Sequence, residues 1–151
     1  YRHLPTLLNN EDLFGPQFVV DETGDFIRLN ERLLLVSTSL TVEQVVAQVG
    51  ELGGITIASH VDRPAYSLLA SLGFIPPGLA LAALEITAHT GVEEFRASNP
   101  GLRDWPLVRS SDAHRLGEMR KAMQVQVREL TVRELDKAFR GQQGRGLVLL
   151  Y

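Results

Sequence analysis

The sequence predicts an α/β fold with a largely parallel sheet or partial barrel, preceded by a β-hairpin. Three observations lead to this fold class. Short β-rich runs alternate with helical patterns, glycines stand where the helical patterns end, and a turn-rich stretch separates two apolar runs near the start. Because 44% of the 151 residues are hydrophobic, the chain can bury a sizeable core. We therefore expect residues 1–151 to form a single domain.

The first elements are a hairpin and an amphipathic helix. Apolar runs at 18–20 and 26–29 flank a turn-rich stretch that contains glycine, which is the pattern of a β-hairpin. Thr41 then precedes valines and a leucine spaced along one helical face, with a glutamine where a capping box places it. The glycine pair that begins at Gly53 predicts the end of this helix.

A helix, a tight turn and a buried strand then recur along the chain. This succession is typical of βαβ units with parallel strands, whose functional groups gather at the carboxyl ends of the strands. The last helix has Thr131 as its N-cap and Gly141 at its end. The expected strands cover 55–60, 83–87, 107–110, 123–127 and 146–151, and the expected helices cover 66–72, 92–97 and 131–139.

Composition narrows the chemistry that the chain can perform. Cysteine is absent, so a metal would have to be held by His, Asp and Glu, a ligand set suited to Mn, Zn or Fe. The lack of cysteine also suits a cytoplasmic protein. No apolar run reaches the ~18–20 residues of a membrane span, and residues 1–10 lack the pattern of a signal peptide. Since an initiator Met is also missing, we expect the sequence to be truncated from a longer one.

The charge distribution bears on nucleic-acid binding. The net charge of −3 argues against a dedicated nucleic-acid binder. Acidic residues predominate in 1–100 and basic residues in 101–151, and we interpret most of the later basic groups as solvated helix faces. A nucleic-acid partner is therefore left open but not favoured.

Metal-capable side chains follow two of the predicted parallel strands. His60 ends the run 55–60, while Asp112 and His114 come directly after the run 107–110. An Asp-x-His pair in extended chain points both side chains to one side, where they can serve one ion or two neighbouring ions. The alternative is structural, because His60 could be a hydrogen-bonding residue and Asp112 could begin a turn or cap a helix.

Other polar residues and motifs support no competing chemistry. His3 and His89 fall in irregular or loop segments and are interpreted as surface residues. Glu85 lies within a predicted strand, where its carboxylate would face a polar cavity or a buried arginine. The sequence contains no Gly-rich phosphate loop, Ser-His-Asp set or HExxH helix.

Three segments carry a family resemblance when read in order. "GGITIASHVDRPAYSLLASLGFIPP", then "ALEIT", then "PLVRSSDAH" resemble the later half of the PHP (polymerase and histidinol phosphatase) superfamily, most of all its stand-alone metal-dependent phosphoesterases. The match runs from about residue 14 to residue 114. It implies that this chain is the second half of a distorted (β/α) barrel, the C-terminal portion of a longer PHP domain.

The resemblance also implies an activity and a site. The parent protein would be a hydrolase that cleaves a phosphomonoester or phosphodiester with water activated by divalent metal ions. His60 matches the ligand of the family's Ala-His strand end, and Asp112 and His114 match the pair in its Ser-Asp-Ala-His motif. Arg63 matches a position suited to contact the phosphate of the substrate. No catalytic residue is assigned beyond these ligands.

The chain departs from the family pattern at several ligands. It contains no His-x-His pair, and the bridging Glu and the further His residues that the family places upstream of the matched region are missing. Ser59 replaces the usual Ala before His60. We therefore expect only part of a metal site here. The alternatives are a non-catalytic PHP-like domain used for interaction or structure, and a site completed by another chain, since a partial barrel exposes edges that invite self-association.

Overall fold

The computed structural model describes residues 1–150 of the chain. Contacts between residues divide the chain into two compact units, Tyr1–Val42 and Glu43–Tyr151. That both units belong to one longer domain stays a prediction. Within residues 1–150 no helix combines the length and the apolar character that crossing a membrane requires.

The first unit contains a short helix and the predicted hairpin. Helix α1 (Glu11–Phe14) begins after Asn10, whose side-chain oxygen accepts hydrogen bonds from two backbone N–H groups of the first turn. Strands β1 (Phe18–Val20) and β2 (Phe26–Leu29) pair antiparallel, which confirms the hairpin. The side chain of Asp21 holds the turn between them by accepting hydrogen bonds from the backbone N–H groups of Thr23 and Asp25. No residue of this unit is buried, so it has no core of its own.

The second unit alternates helices with short strands, as the sequence predicts. The helix expected after Thr41 is confirmed as α2, and Gly53, with φ of +76°, follows its end. The elements in chain order are α2 (Val42–Glu51), β3 (Ile57–Ala58), α3 (Leu68–Leu72), β4 (Ala83–Glu85), α4 (Val92–Ser98), β5 (Leu107–Val108), β6 (Met123–Gln126), α5 (Val132–Phe139) and β7 (Gly146–Leu149), with single 3₁₀ turns at Pro100–Leu102 and Leu116–Glu118.

Strands β3, β4 and β5 form a parallel sheet in that order. Ala58 is aligned with Leu84, and Glu85 is aligned with Val108, so the three strands run side by side in the same direction. Each crossover carries a helix, α3 or α4, as parallel neighbours require. The central strand is the most buried, with Leu84 fully inaccessible to solvent. The carboxyl ends of all three strands therefore lie at one edge.

The expectation of a largely parallel sheet holds only for these three strands. Strands β6 and β7 pair antiparallel with each other in a separate two-stranded sheet, and within residues 1–150 the strands do not close a barrel. The sequence carries a signal for this arrangement, because Met123-Gln124-Val125-Gln126 alternates apolar and polar residues as half-solvated antiparallel strands do. Mixed α/β with small sheets is the observed class.

Several boundaries also differ from the expected ones. Strand β3 covers only two of the residues 55–60, and His60 has left the strand with φ of +27°. Helix α3 begins at Leu68 rather than at Tyr66, because Tyr66 has φ of +57° and Ser67 caps the helix. Strand β7 ends at Leu149, and Tyr151, the end of the expected strand, lies outside the described residues.

The core of the second unit joins the parallel sheet to the last helix and the antiparallel pair. Ala82 and Ala83 lie at its centre, where small side chains let Phe139 of α5 pack close to the sheet. A packed sheet holds the ends of its strands in fixed positions. This core therefore supports the residues at the carboxyl edge. The remaining members are Val108 and, partly buried, Ile55, Ile57, Met123, Leu135 and Leu147.

Candidate metal centre

A cavity of about 290 Å³ opens at the carboxyl edge of the parallel sheet. His60 follows β3, Glu85 is the last residue of β4, and Asp112 follows β5, so each strand contributes one polar side chain to the cavity wall. Arg63 also lines it. The structure thus brings together three of the four residues singled out in the sequence, and Glu85 faces a polar cavity, one of its two expected environments.

The carboxylate of Glu85 connects the three strand ends. Its Oε2 accepts a hydrogen bond from the backbone N–H of His60 at 3.0 Å, and its Oε1 accepts one from the hydroxyl of Ser110. The Ser110 oxygen in turn accepts a hydrogen bond from the backbone N–H of Asp112 at 3.4 Å. Glu85 is therefore a positioning residue that sequence reasoning did not assign to the site.

His60 presents a nitrogen that no other group satisfies. Its Nδ1 atom is buried and has no hydrogen-bond partner within residues 1–150. Its backbone φ of +27° is rarely adopted by residues other than glycine, although His, Asn and Asp tolerate positive φ better than most. His60 therefore combines an unpaired buried nitrogen with a rarely adopted backbone conformation, two features that occur together at functional sites more often than elsewhere.

Asp112 shares both features. Its φ is +47°, and its Oδ2 atom is buried without an aligned hydrogen bond within residues 1–150. The Nη2 atom of Arg63 lies 2.8 Å from this oxygen, so the contact is an ion pair whose angles fall short of a hydrogen bond. Both side chains are about one-third to one-half exposed, at 45% for Arg63 and 32% for Asp112. The guanidinium of Arg63 therefore lies against the oxygen of Asp112 to which a metal ion would bind.

His114 lies apart from this cavity. It is exposed and does not line the wall, while its Nδ1 atom is 2.9 Å from the backbone oxygen of Asp112. Because a carbonyl oxygen can only accept, Nδ1 carries the proton of this hydrogen bond. In a neutral ring with this tautomer the lone pair lies on Nε2, which is the arrangement of a histidine that binds a metal while a backbone carbonyl orients it.

Asp62 is a further cavity residue that the sequence analysis did not single out. Its carboxylate accepts hydrogen bonds from the backbone N–H of Thr87 at 3.0 Å and from the Thr87 hydroxyl at 2.6 Å. Burial by itself would raise the pKa of Asp62, but the hydrogen bonds from Thr87 and Thr90 outweigh it and lower the pKa below 3.8. Asp62 therefore stays charged and ties the loop after β3 to the loop after β4.

We expect this bond to make stability depend on pH. Since the pKa of Asp62 is lowered in the folded state, its contribution is present above the unfolded pKa of about 3.8 and is lost as pH falls through the folded pKa. Asp62→Asn should lower the melting temperature at pH 7, and the difference from the native chain should shrink below about pH 4. Thermal melts at both pH values measure this, with the exposed Glu129→Gln as the control. A constant difference across this range would contradict the assignment.

The donor atoms at this edge fit a divalent metal only in part. Imidazole nitrogen and carboxylate oxygen are ligands that Mn, Zn and Fe accept. Within residues 1–150, however, no three side chains of His, Asp or Glu come together closely enough to hold an ion. His60 and Asp112 provide two ligands in one cavity, whereas metal sites commonly use three or four protein ligands.

Comparisons with known proteins place the fold. No protein-family model matches the chain, and no curated protein matches it. The chain is similar to the crystal structure of the lesion-specific endonuclease PfuEndoQ from Pyrococcus furiosus, with 21% identity and a TM-score of 0.58 over 73% of this chain. It is also similar to Endonuclease Q in complex with a 27-mer duplex substrate with an abasic lesion, with 22% identity and a TM-score of 0.53 over 78% of this chain.

These likenesses show the fold alone. The chain spans 29% and 30% of the lengths of the two endonuclease chains, so most of each of those proteins has no counterpart in it. The shared part agrees with the PHP-like fold expected from the sequence.

Proposed function

We propose that this chain supplies part of the metal site of a metal-dependent phosphoesterase. One observation carries the proposal. The Nδ1 atom of His60 and the Oδ2 atom of Asp112 are both buried without hydrogen-bond partners within residues 1–150, and both residues line one cavity at the ends of neighbouring parallel strands. The nitrogen of His60 has no partner, and the oxygen of Asp112 already pairs with the cationic Arg63. Two such atoms at the ends of parallel strands support a cation site that Arg63 occupies when no metal ion is bound.

The residues of the chain would then have distinct roles. His60, Asp112 and, through Nε2, His114 would be ligands to divalent ions, which when bound supply an activated water and neutralise charge on the phosphoryl group. Arg63 would leave Asp112 and donate to a phosphate oxygen, for which its forked guanidinium is suited. Glu85 would hold the ligands in place. The ligands that these residues do not provide would come from another part of the protein or from a second chain.

A phosphodiester in nucleic acid is the substrate that we favour over a phosphomonoester. Both structures that share the fold are described as endonucleases, and one of them holds duplex DNA. In this chain a second cavity of about 370 Å³ shares four residues with the first, Ala88, His89, Ser110 and Ser111. Its charged residues are Arg109, Arg120 and Lys121, with Glu118 as the one acidic group among them. Basic side chains beside a metal site can hold the phosphates that flank the scissile one. The net charge of the whole chain does not reveal such a local patch.

The test measures hydrolysis of a phosphomonoester and a phosphodiester by the 151-residue chain and by a longer protein that contains it. We expect the 151-residue chain to hydrolyse neither 4-nitrophenyl phosphate nor bis(4-nitrophenyl) phosphate appreciably with Mn²⁺, because too few ligands fix the water and the phosphorus. The longest protein encoded by the gene that contains these residues should hydrolyse the diester in preference to the monoester. Robust turnover by the short chain would contradict the incomplete site, and an inactive longer protein would favour the non-catalytic alternative.

The basic cavity has its own control. In the longer protein the double variant Arg120→Gln, Lys121→Gln should weaken binding of duplex DNA by about tenfold and flatten its salt dependence. Turnover of the small diester should stay unchanged. The matched double variant Arg103→Gln, Arg133→Gln removes two exposed arginines outside both cavities and should have no comparable effect. Equal losses from the two double variants would remove the support that this cavity gives to a nucleic-acid substrate.

A further inference from the structure

Another cavity of the second unit has a buried arginine in its wall and is lined by none of the residues of the cavity at the strand edge. It has a volume of about 620 Å³ and lies among α4, β5, α5 and β7. Most of its wall is apolar, and the charged residues on it are Arg96, Arg109, Glu93 and Glu94. This volume falls within the range of cavities that bind small molecules.

Arg109 is the unusual member of this wall. It is only 3% exposed, and its two hydrogen bonds go to neutral acceptors, the backbone oxygens of Leu150 at 2.9 Å and Thr90 at 2.7 Å. Its Nε atom is buried and has no hydrogen-bond partner within residues 1–150. A buried cation is costly unless an anion compensates it, and backbone oxygens compensate it only in part.

Arg96 places a second unsatisfied donor on the same wall. Its Nε atom is also buried without a hydrogen-bond partner within residues 1–150. One of its terminal nitrogens lies 3.6 Å from a carboxylate oxygen of Glu93, whose side chain is 88% exposed. Because an exposed carboxylate is screened by water, Glu93 compensates the charge of Arg96 only weakly. Two residues of this wall thus each have an Nε–H group without an acceptor among residues 1–150.

We propose that this cavity binds an organic carboxylate with an apolar body. The carboxylate would accept hydrogen bonds from the Nε–H groups of Arg109 and Arg96, and its body would pack on the apolar wall. A guanidinium is well suited to a carboxylate, and burial strengthens the bond by excluding water. The apolar part of the wall consists of Val92, Pro106, Leu107, Phe139, Leu147 and Leu149. None of the proposed metal ligands lines this cavity, so the inference does not rest on the metal site, although Arg109 also lines the cavity of about 370 Å³ described above.

The test uses hexanoate as the probe on the full 151-residue chain. Hexanoate should shift the NMR signals of the Nε–H groups of Arg109 and Arg96, and hexan-1-ol, which lacks the charge, should bind at least about tenfold more weakly. Arg96→Gln should weaken hexanoate binding by about tenfold, whereas the exposed control Arg133→Gln should not. Because Arg96 is partly exposed, this variant tests the site without emptying the core, as a change at Arg109 would.

Each other outcome overturns the proposal. Equal affinity for hexanoate and hexan-1-ol would mean that the arginines recognise no anion. Inorganic phosphate that binds as tightly as hexanoate would mean that the apolar wall plays no part. If millimolar hexanoate shifted neither Nε–H signal, the carboxylate would not contact these groups. An Arg96→Gln variant that binds like Arg133→Gln would remove the assigned contact.

Discussion

Replacing Glu134 by Gln is expected to destabilise the chain strongly. Glu134 is 4% exposed on α5, and its two carboxylate oxygens accept hydrogen bonds from Nη2 and Nε of Arg145 at 2.8 and 2.7 Å. The ammonium group of Lys137 donates to the same carboxylate at 2.8 Å. Arg145, followed by Lys137, holds the pKa of Glu134 far below its ordinary 4.5, so the carboxylate stays charged.

Glutamine keeps the size of the side chain but removes its charge. The guanidinium of Arg145, itself 8% exposed, would then stay buried without its counter-ion, and one of its donors would face an amide NH₂ group. We expect the melting temperature to fall by about 10 °C. Circular dichroism melts of the purified variant measure this change.

A matched control lies on the same helix. Asp136 pairs with Arg140 at 2.9 Å, but the two side chains are 32% and 40% exposed. Because surface ion pairs contribute little, Asp136→Asn should shift the melting temperature by no more than about 2 °C. If Glu134→Gln melted as close to the native chain as Asp136→Asn does, the buried pair would not support the packing of α5 and β7.

The sequence predicts the local elements well because local signals determine them. The hairpin at 18–20 and 26–29, the helix after Thr41 and the capped helix after Thr131 are all present, since turn residues, apolar spacing and caps act over a few residues. The sequence did not predict that β6 and β7 pair with each other in a separate antiparallel sheet. Assignment of a run as a strand says nothing about its partner, and the alternation in Met123–Gln126 was the only local sign of an antiparallel pair.

The candidate site shows the same limit. His60 and Asp112 could be placed at one edge because parallel strands align their carboxyl ends, and the structure puts both in one cavity. The roles of Glu85 and Asp62 depend on hydrogen bonds between residues 25 positions apart in the chain, which no local pattern encodes. His114 does not line this cavity, and its ring bonds to the backbone oxygen of Asp112, a contact that no sequence pattern predicted.

Asp112→Asn is expected to have the largest effect on metal binding. Asn keeps the shape of the side chain but loses the negative charge, and an amide oxygen is a poorer ligand for a divalent ion than a carboxylate. We expect Mn²⁺ affinity to fall at least tenfold. Changes at residues that only support metal ligands already cause losses of about that size. In the longer protein, hydrolysis of the diester should fall by about 100-fold or more for the same reason.

The control for this change is Asp104→Asn. Asp104 is exposed and does not line the cavity at the strand edge, so its loss alters the net charge equally without touching the proposed ligands. Mn²⁺ titrations followed by electron paramagnetic resonance compare the two variants with the native chain. Equal affinities in all three proteins would mean that Mn²⁺ binds as a diffuse counter-ion rather than at Asp112.

Anomalous diffraction from crystals of the chain soaked in millimolar Mn²⁺ tests the metal site most directly. We predict a peak in the cavity between β3 and β5, about 2.0–2.5 Å from Asp112 Oδ2 or from a ring nitrogen of His60, with Arg63 displaced from the carboxylate. The same peak should be absent from crystals of Asp112→Asn. A cavity without a peak while Arg63 keeps its ion pair with Asp112, or a peak that persists in the variant, would contradict the claim that this edge of the sheet holds a metal.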